Sequence, residues 1–198
     1  MTASDDTHTS DRMREHDVAL ADGDVRLRPM TEGDWDILLP WNRDVDVLHF
    51  SDGPGVPPRS LDETQGIYRG VSQDAYCFII EWAGRPVGEC WLQRLNLDWL
   101  RGLHPSEDCR RIDITIGEKE CWGKGVGSTA VRLLVEFAFG SERADIVLAC
   151  DVADYNARSR RMFERIGFEL FEERGSDPCR AYLTLRGPDR GTRRDSCV

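Results

Sequence analysis

The 198-residue chain carries 36 acidic against 26 basic side chains, a formal net charge of -10, with 40% hydrophobic and 31% charged residues. That length suits one domain able to bury its own core, and the acidity argues against nucleic acid, whose phosphates demand clustered Lys and Arg. No apolar run approaches the roughly 18 to 20 residues that cross a bilayer, so no membrane partner is expected, and a cationic small molecule fits the charge better.

Residues 1–22 read as an acidic, disordered leader without the charged-then-apolar order of a secretory signal. A domain over 23–187 and a flexible tail over 188–198 follow. VRLRPM, Val25 to Met30, alternates like an edge strand, and Thr31 with Asp34 caps a helix carrying Trp35, Ile37, Leu38 and Trp41. Pro54, Pro57 and Pro58 mark a loop. Ser60 and Glu63 form a second capping box that opens a helix to about Val71. AYCFIIEW and VGECWLQRL, joined by Ala83-Gly84-Arg85-Pro86, predict an antiparallel hairpin. Asn96 to Asp108 reads as an irregular loop, after which RRIDITIG alternates as a strand. From Val126, apolar residues recur at helical spacing through Ala138. ADIVLACDV is a short continuous apolar run, the pattern of a strand buried on both faces. NARSRRMFERIGF starts on an Asn cap and stops at Gly167. GFELFEER and RAYLTLR supply a closing strand pair. The order predicts an α/β fold: a mixed sheet with helices on its faces.

The seven cysteines, Cys77, Cys90, Cys109, Cys121, Cys150, Cys179 and Cys197, show neither CxxC spacing nor a companion histidine pair, so neither a disulfide framework nor a metal site is expected. Several lie in apolar strands, where free cysteine packs as a small hydrophobe, and a reducing cytoplasm is the simpler inference. His49 and His104 lack a spacing partner for metal binding or a triad.

The informative segment is ECWGKGVGSTAVRLLVEFAF. Gly123, Gly125 and Gly127 stand between a strand and a helix, where the first helical turn offers unpaired amides and the positive end of the dipole to an anion. GxxxxGK[ST] is absent and the spacing is not GxGxxG. On glycine spacing alone, a helix start that merely needs flexible backbone stays open.

Two motifs resemble the GNAT acetyltransferase superfamily. Trp122-Gly123-Lys124-Gly125-Val126-Gly127 is similar to its R/Q-x-x-G-x-G/A acyl-CoA loop, with Trp in first place. Asn156-Ala157-Arg158-Ser159 through Phe163-Glu164-Arg165-Ile166-Gly167-Phe168 resembles its N-x-x-[AS]-x-x-x-Y-E-x-x-G-F helix. The resemblance spans roughly Val25 to Arg186. It implies a mostly antiparallel mixed sheet of about seven strands, acetyl-CoA as cosubstrate, and pyrophosphate binding by the amides around Lys124 to Thr129, including those of Val126, Gly127 and Ser128. It also places Asn156, Ser159 and Phe163 beside the cofactor and gives the strand amides of Ile114, Thr115 and Ile116 an oxyanion role.

Within the superfamily the chain resembles aminoglycoside 6'-N-acetyltransferases. Trp41 with Val47-Leu48-His49-Phe50-Ser51-Asp52-Gly53 is similar to their substrate-side helix and loop, which implies acceptor contacts for Trp41, Phe50 and Asp52. Asp113 stands where they carry an active-site aspartate, and Asp151 where they carry a substrate-contacting one. An amine arrives largely as ammonium and must lose a proton before it attacks a thioester, so Asp113 is the expected base and Asp151 the expected orienting charge. Two carboxylates at one site also raise the proton affinity of one of them. Trp41 and Trp99 are expected to line a sugar pocket, and Asp44, Asp46, Asp98, Glu107 and Asp108 to add acidic surface for a polycation. A strand aspartate facing solvent remains an alternative for Asp113, as does a turn cap for Asp151.

Phe163 replaces a tyrosine that the family uses to protonate the departing sulfur, and Tyr155 or water is the substitute donor. Trp91 replaces a glutamine of the resembled subfamily. A protein N-terminus or a metabolite amine stays open as the acceptor, a non-catalytic acyl-CoA-binding module stays open as the role, and the chain is expected as monomer or homodimer.

Overall fold

Alternation of apolar and charged residues at the start of the chain builds the sheet edge. In the computed structural model, which describes residues 11–188, β1 (Leu20–Asp22) pairs antiparallel with β2 (Val25–Pro29). Arg28 reaches from β2 to Asp34, which is only 5% exposed, through two contacts of 3.0 and 2.7 Å. The same carboxylate accepts from Thr31 N at 2.8 Å, so the expected capping box forms, though on a short 3-10 turn that precedes α1 (Trp35–Trp41).

After α2 (Val45–Ser51) and α3 (Leu61–Ser72), the predicted hairpin appears as β3 (Ala75–Trp82) and β4 (Arg85–Arg94). Then come α4 (Asp98–Leu103), β5 (Cys109–Ile116), α5 (Val126–Gly140), β6 (Ile146–Ala153), α6 (Ala157–Ile166), β7 (Glu169–Arg174) and β8 (Arg180–Arg186). The sheet has eight strands in the order β1-β2-β3-β4-β5-β6-β8-β7, antiparallel throughout except at β5–β6.

The pleat sorts side chains between two cores. On β3, Phe78 and Ile80 pack with Ala130 and Leu134 of α5, whereas Cys77 and Ile79 pack with Leu38, Trp41 and Tyr68 of α1 and α3. On β4, Cys90 and Leu92 join the α5 core and Trp91 turns to the α1–α3 side. Glu89 and Gln93, two residues either way from Trp91, share its face. Across the ladder, Glu89 stands opposite Thr115, Trp91 opposite Asp113 and Gln93 opposite Arg111.

The feature that positions the site lies between β5 and β6. Their parallel pairing runs only from Cys109↔Ile146 to Ile112↔Ala149, although β5 continues to Ile116 and β6 to Ala153. At Asp151 the backbone enters the left-handed region (φ 57°), and the pairing of β6 with β8 skips from Ala149 to Val152. Aspartate tolerates that conformation better than most residues, and β6 bends away from β5 there. The two strands open like a wedge.

Three expectations need correction. The sheet has eight strands rather than about seven, the additional pairing being that of Leu20–Asp22. Residues 11–22 are not a disordered leader: Met13 is 6% exposed, Arg14 donates to Ser72 O and Ala75 O, and His16 Nε2 lies 2.9 Å from Cys77 O. Their polarity serves hydrogen bonds to α3 and β3. The stretch Asn96 to Asp108 contains α4, held because Leu100 is fully buried beside Leu95 and Leu148. Residues 1–10, residues 189–198 and Cys197 lie outside the described residues.

Glu32 ties this N-terminal strap down, accepting from Met13 N at 2.8 Å and from Arg69 at 3.0 and 2.7 Å. Those bonds, led by Arg69, hold its carboxyl at about 2 instead of 4.5. A depressed carboxylate contributes stability that is fully present above the unfolded value and is lost as pH falls through the folded one. Wild type is therefore expected to lose roughly 1 kcal/mol between pH 4.5 and 2 that Glu32→Gln never had, after allowance for solvent screening. Thermal melts of both proteins across that window check it, and parallel curves would refute it.

Candidate active site

The glycine turn takes the form that anion binding requires. Gly123 (φ 77°) and Gly125 (φ 88°) adopt left-handed backbone, and a Cβ on either would meet nothing within 4 Å, so the outer face of the turn is bare peptide. Gly125 caps α5 with no side-chain hydrogen bond. Thr129 N already donates to Gly125 O at 3.0 Å and Lys124 N to Cys121 O at 3.4 Å, which shortens the expected run of available amides to Gly125 through Ser128. The side chain of Val126 is buried in the core, leaving only its amide to the turn. Trp122 anchors the turn to the end of β5, its indole donating to Ile116 O at 2.7 Å.

Two cavities, of about 240 and 230 Å³, lie on either side of the wedge and share Val47, Phe50, Ile114, Thr115, Asn156 and Ser159 as walls. One reaches the glycine turn. The other is floored by β4, β5 and β6 and roofed by α1, α2 and α3. Asp52, Asp113, Asp151 and Phe163 line this second cavity, together with Trp41 and Trp91.

Asp113 is held on both oxygens. Oδ1 accepts from Arg111 at 2.8 Å, Oδ2 from the Trp91 indole at 2.8 Å, with Gln93 Nε2 at 3.5 Å. A carboxylate offers about four lone-pair positions, so capacity remains for a further donor. Asp151 accepts from Tyr182 OH at 2.6 Å and gives its carbonyl to Arg180 at 3.2 Å. Burial would lower Arg111, yet the charge of Asp113 leads the influences that raise it, and Asp151 adds to them. The guanidinium thus sits in the field of both aspartates. The rise in proton affinity expected of crowded carboxylates falls on Glu89, which burial first and the charge of Asp113 second push up to about 8.

Several expected residues serve structure around the cavities. Asn156 caps α6 through Ser159 N at 3.2 Å and donates to Phe50 O at 3.1 Å, tying α2 to α6. Phe50 packs edge-on to Trp122, and Arg158 lies over both rings, 5.1 and 4.3 Å from their centres. Burial lowers Arg158 from the ordinary arginine range. Trp41 sits directly on Gly117 and donates to Glu118 at 2.9 Å. Asp52 pairs with Arg59 at 2.6 Å.

Trp99 does not line either cavity, because its ring packs edge-on against Tyr182 at 5.1 Å beneath Arg174. It supports the tyrosine that holds Asp151. Lys124 points outward over Trp82, 5.6 Å from the ring centre. Tyr155 donates its hydroxyl to His49 O at 3.0 Å and lines neither cavity, so it is not placed as a proton donor. Phe163 is 3% exposed against Phe168. Burial pushes Cys150 up to about 12 and Cys121 upward, so neither is a ready thiolate. Of the acidic loop residues, Asp44 and Asp46 pair with Lys119, Asp98 with Arg101, Glu107 with Arg186 and Asp108 with Arg110. Among the described residues no cluster of three or more His, Cys, Asp or Glu side chains could hold a metal, and no helix is long and apolar enough to cross a membrane.

Arg111 and Glu89 are the site residues missed from sequence. Arg111 stands two places before Asp113 on the same strand face, a period-2 signal present in RRID. Glu89 is a charged residue inside the apolar run VGECWL, where a buried carboxylate calls for a reason.

Comparison with known proteins agrees with this geometry. A family model described as an acetyltransferase (GNAT) domain matches residues 24–169. The aminoglycoside N(6')-acetyltransferase type 1 of Klebsiella pneumoniae is 27% identical over 158 residues, covering 77% of each chain, and that of Serratia marcescens matches equally. The structure of AAC(6')-Ib with ribostamycin and coenzyme A superposes with a TM-score of 0.71 at 25% identity, over 88% of this chain and 100% of that one. A GNAT-family acetyltransferase from Bacillus anthracis, 16% identical, shares the fold with a TM-score of 0.69, over 85% of this chain and 98% of its own. The chain belongs to the GNAT acetyltransferase family and is an acetyl-CoA-dependent N-acetyltransferase.

Proposed function

We propose that the protein acetylates an amino group of an aminoglycoside, with Asp113 as the base, Asp151 as an orienting charge and the amides of Gly125 through Ser128 as the diphosphate seat of acetyl-CoA. One observation carries this reading: a bare-amide turn and a carboxylate-lined cavity share their walls across the wedge between β5 and β6. The Klebsiella and Serratia relatives and the AAC(6')-Ib structure, which bear aminoglycoside names, support the choice of acceptor.

The chemistry follows from the charges. The acceptor enters as a cation, drawn by Asp52, Asp113 and Asp151, and Asp113 takes the ammonium proton directly or through water. Arg111 and Trp91 keep its carboxylate aimed. Trp91 replaces the expected glutamine without loss of a donor, because its indole N–H reaches Asp113. Arg158, with no carboxylate partner among the described residues, adds positive charge at the donor cavity. The donor supplies an activated thioester whose thiol has an ordinary pKa of about 8.5, so its thiolate departs without a proton from Phe163.

The test is release of coenzyme A thiol on mixing with acetyl-CoA and a panel containing kanamycin, ribostamycin, spermidine and a peptide amine, with mass spectrometry of the products. Acetylated aminoglycoside is expected. Acetyl-CoA binding without transfer to any aminoglycoside would refute the proposed acceptor, and product on the peptide or spermidine would reassign it.

A further inference from the structure

Four carboxylates line the acceptor cavity: two have a guanidinium of their own, and Asp151 is held by the Tyr182 hydroxyl. Asp113 has Arg111 at 2.8 Å and Asp52 has Arg59 at 2.6 Å. Glu89 has no cationic partner among the described residues. It is 4% exposed, lines the cavity, and its Oε2 has no hydrogen-bond partner. An unsatisfied buried oxygen costs about 1 to 3 kcal/mol and calls for an explanation, which in a cavity wall a ligand can supply.

We propose that Glu89 is an ammonium-binding residue of the acceptor cavity: its free Oε2 receives a cationic amino group of the bound acceptor, and the carboxyl releases its proton to solvent as it does so. This rests on the reading that the acceptor is a cationic amine. No bond of the acceptor changes in the step. One O–H of Glu89 breaks, the proton passes to water, and the carboxylate pairs with the ammonium.

The surroundings of Glu89 fit a carboxyl that is neutral when the cavity is empty. Burial is the largest influence and the charge of Asp113 the second, with Asp52 acting the same way more weakly. Thr115 on β5 and Tyr68 on α3 oppose them with hydroxyls. Cys77, itself raised by burial, shares this face from β3, whereas Cys90, the next residue on β4, points into the α5 core. Arg111 and Arg59 are already committed to the neighbouring aspartates. A cation entering beside Trp41 and Trp91 therefore meets, in Glu89 Oε2, a buried oxygen with no donor bound to it and no guanidinium paired with its carboxyl, and an aminoglycoside brings several ammonium groups, so one can bind here while another is acetylated.

The test uses the full chain and its coenzyme A complex, with kanamycin as probe. Calorimetry in two buffers of different ionisation heat is expected to show about one more proton released on kanamycin binding by wild type than by Glu89→Gln near neutral pH. The KM for kanamycin is expected to rise about 10- to 100-fold in Glu89→Gln, the worth of a hydrogen bond to a charged group, with the KM for acetyl-CoA unchanged. Glu89→Leu reports folding and a second signature. A carboxyl whose folded value, about 8, lies above its ordinary 4.5 makes the folded state bind more protons in that window, so wild-type stability falls as pH rises from 4.5 to 8. Glu89→Leu is expected to lack that slope.

Equal KM and equal proton release in Glu89→Gln, with wild type active, would overturn the role of Glu89 alone. Should kanamycin be inert and another amine of the panel react, the acceptor assignment fails and the same comparison is made with that amine. A wild type that acetylates no amine overturns both proposals.

Discussion

Asp113→Asn is expected to slow acetyl transfer by about 10² to 10⁴-fold, the range for loss of a general base, while the affinity for acetyl-CoA is retained. The carboxamide has nearly the volume of the carboxylate but cannot take a proton at neutral pH. It also presents an NH2 to a site where both oxygens now accept, from Arg111 and from Trp91 at 2.8 Å each. One of those donors loses its partner. The loss therefore combines missing chemistry with a misaimed side chain, and both act on the acceptor side of the wedge. Single-turnover transfer, acetyl-CoA calorimetry and a melting curve separate the contributions. Unchanged turnover would remove Asp113 from the mechanism, whereas abolished turnover with intact acetyl-CoA binding excludes a lapsed, purely acyl-CoA-binding module.

The second large effect is structural. A Cβ at Gly117 would lie 2.2 Å from Cγ and 2.4 Å from Cδ1 of Trp41. The indole cannot retreat freely, being 5% exposed and pinned to Glu118 at 2.9 Å. Gly117→Ala is expected to cost about 1 to 3 kcal/mol as overpacking, or several degrees of melting temperature for a domain of this size. Because Trp41 is a wall of the acceptor cavity, the KM for the acceptor should rise more than that for acetyl-CoA. Introducing the alanine into Trp41→Ala isolates the clash, since its cost should then largely vanish. An equal penalty in both backgrounds would place the strain elsewhere.

Most of the fold was legible because its signals are local. Capping boxes at Thr31 and Ser60, the Ala83-Gly84 hairpin turn, the Asn156 cap and the Gly167 stop all lie where the sequence puts them. The misses were elements whose stability is tertiary. β1 is three residues long and exists by pairing with β2, and α4 forms around one buried leucine in a polar stretch. At the site, motifs led to Asp113, Asp151 and the glycine turn. They could not say that Thr129 N was already spent, nor that Trp99 would stand behind Tyr182, because both depend on how separate strands meet. Glu89 and Arg111 escaped for a related reason. Their importance lies in which charges face them across the sheet, and period-2 alternation gives the face without the neighbours.

The wedge between β5 and β6 is made by main chain, from a left-handed Asp151 and a pairing that stops at Ala149. On the proposed reading, the seat of the donor is likewise peptide nitrogen, while the acceptor is judged by Trp41, Trp91, Glu89 and Asp52. Heritable change therefore acts on the two halves unequally. Single codon replacements can retune which amine is accepted, whereas abandoning the thioester would require re-laying the sheet, so descendants of this scaffold are free to wander in diet but not in fuel.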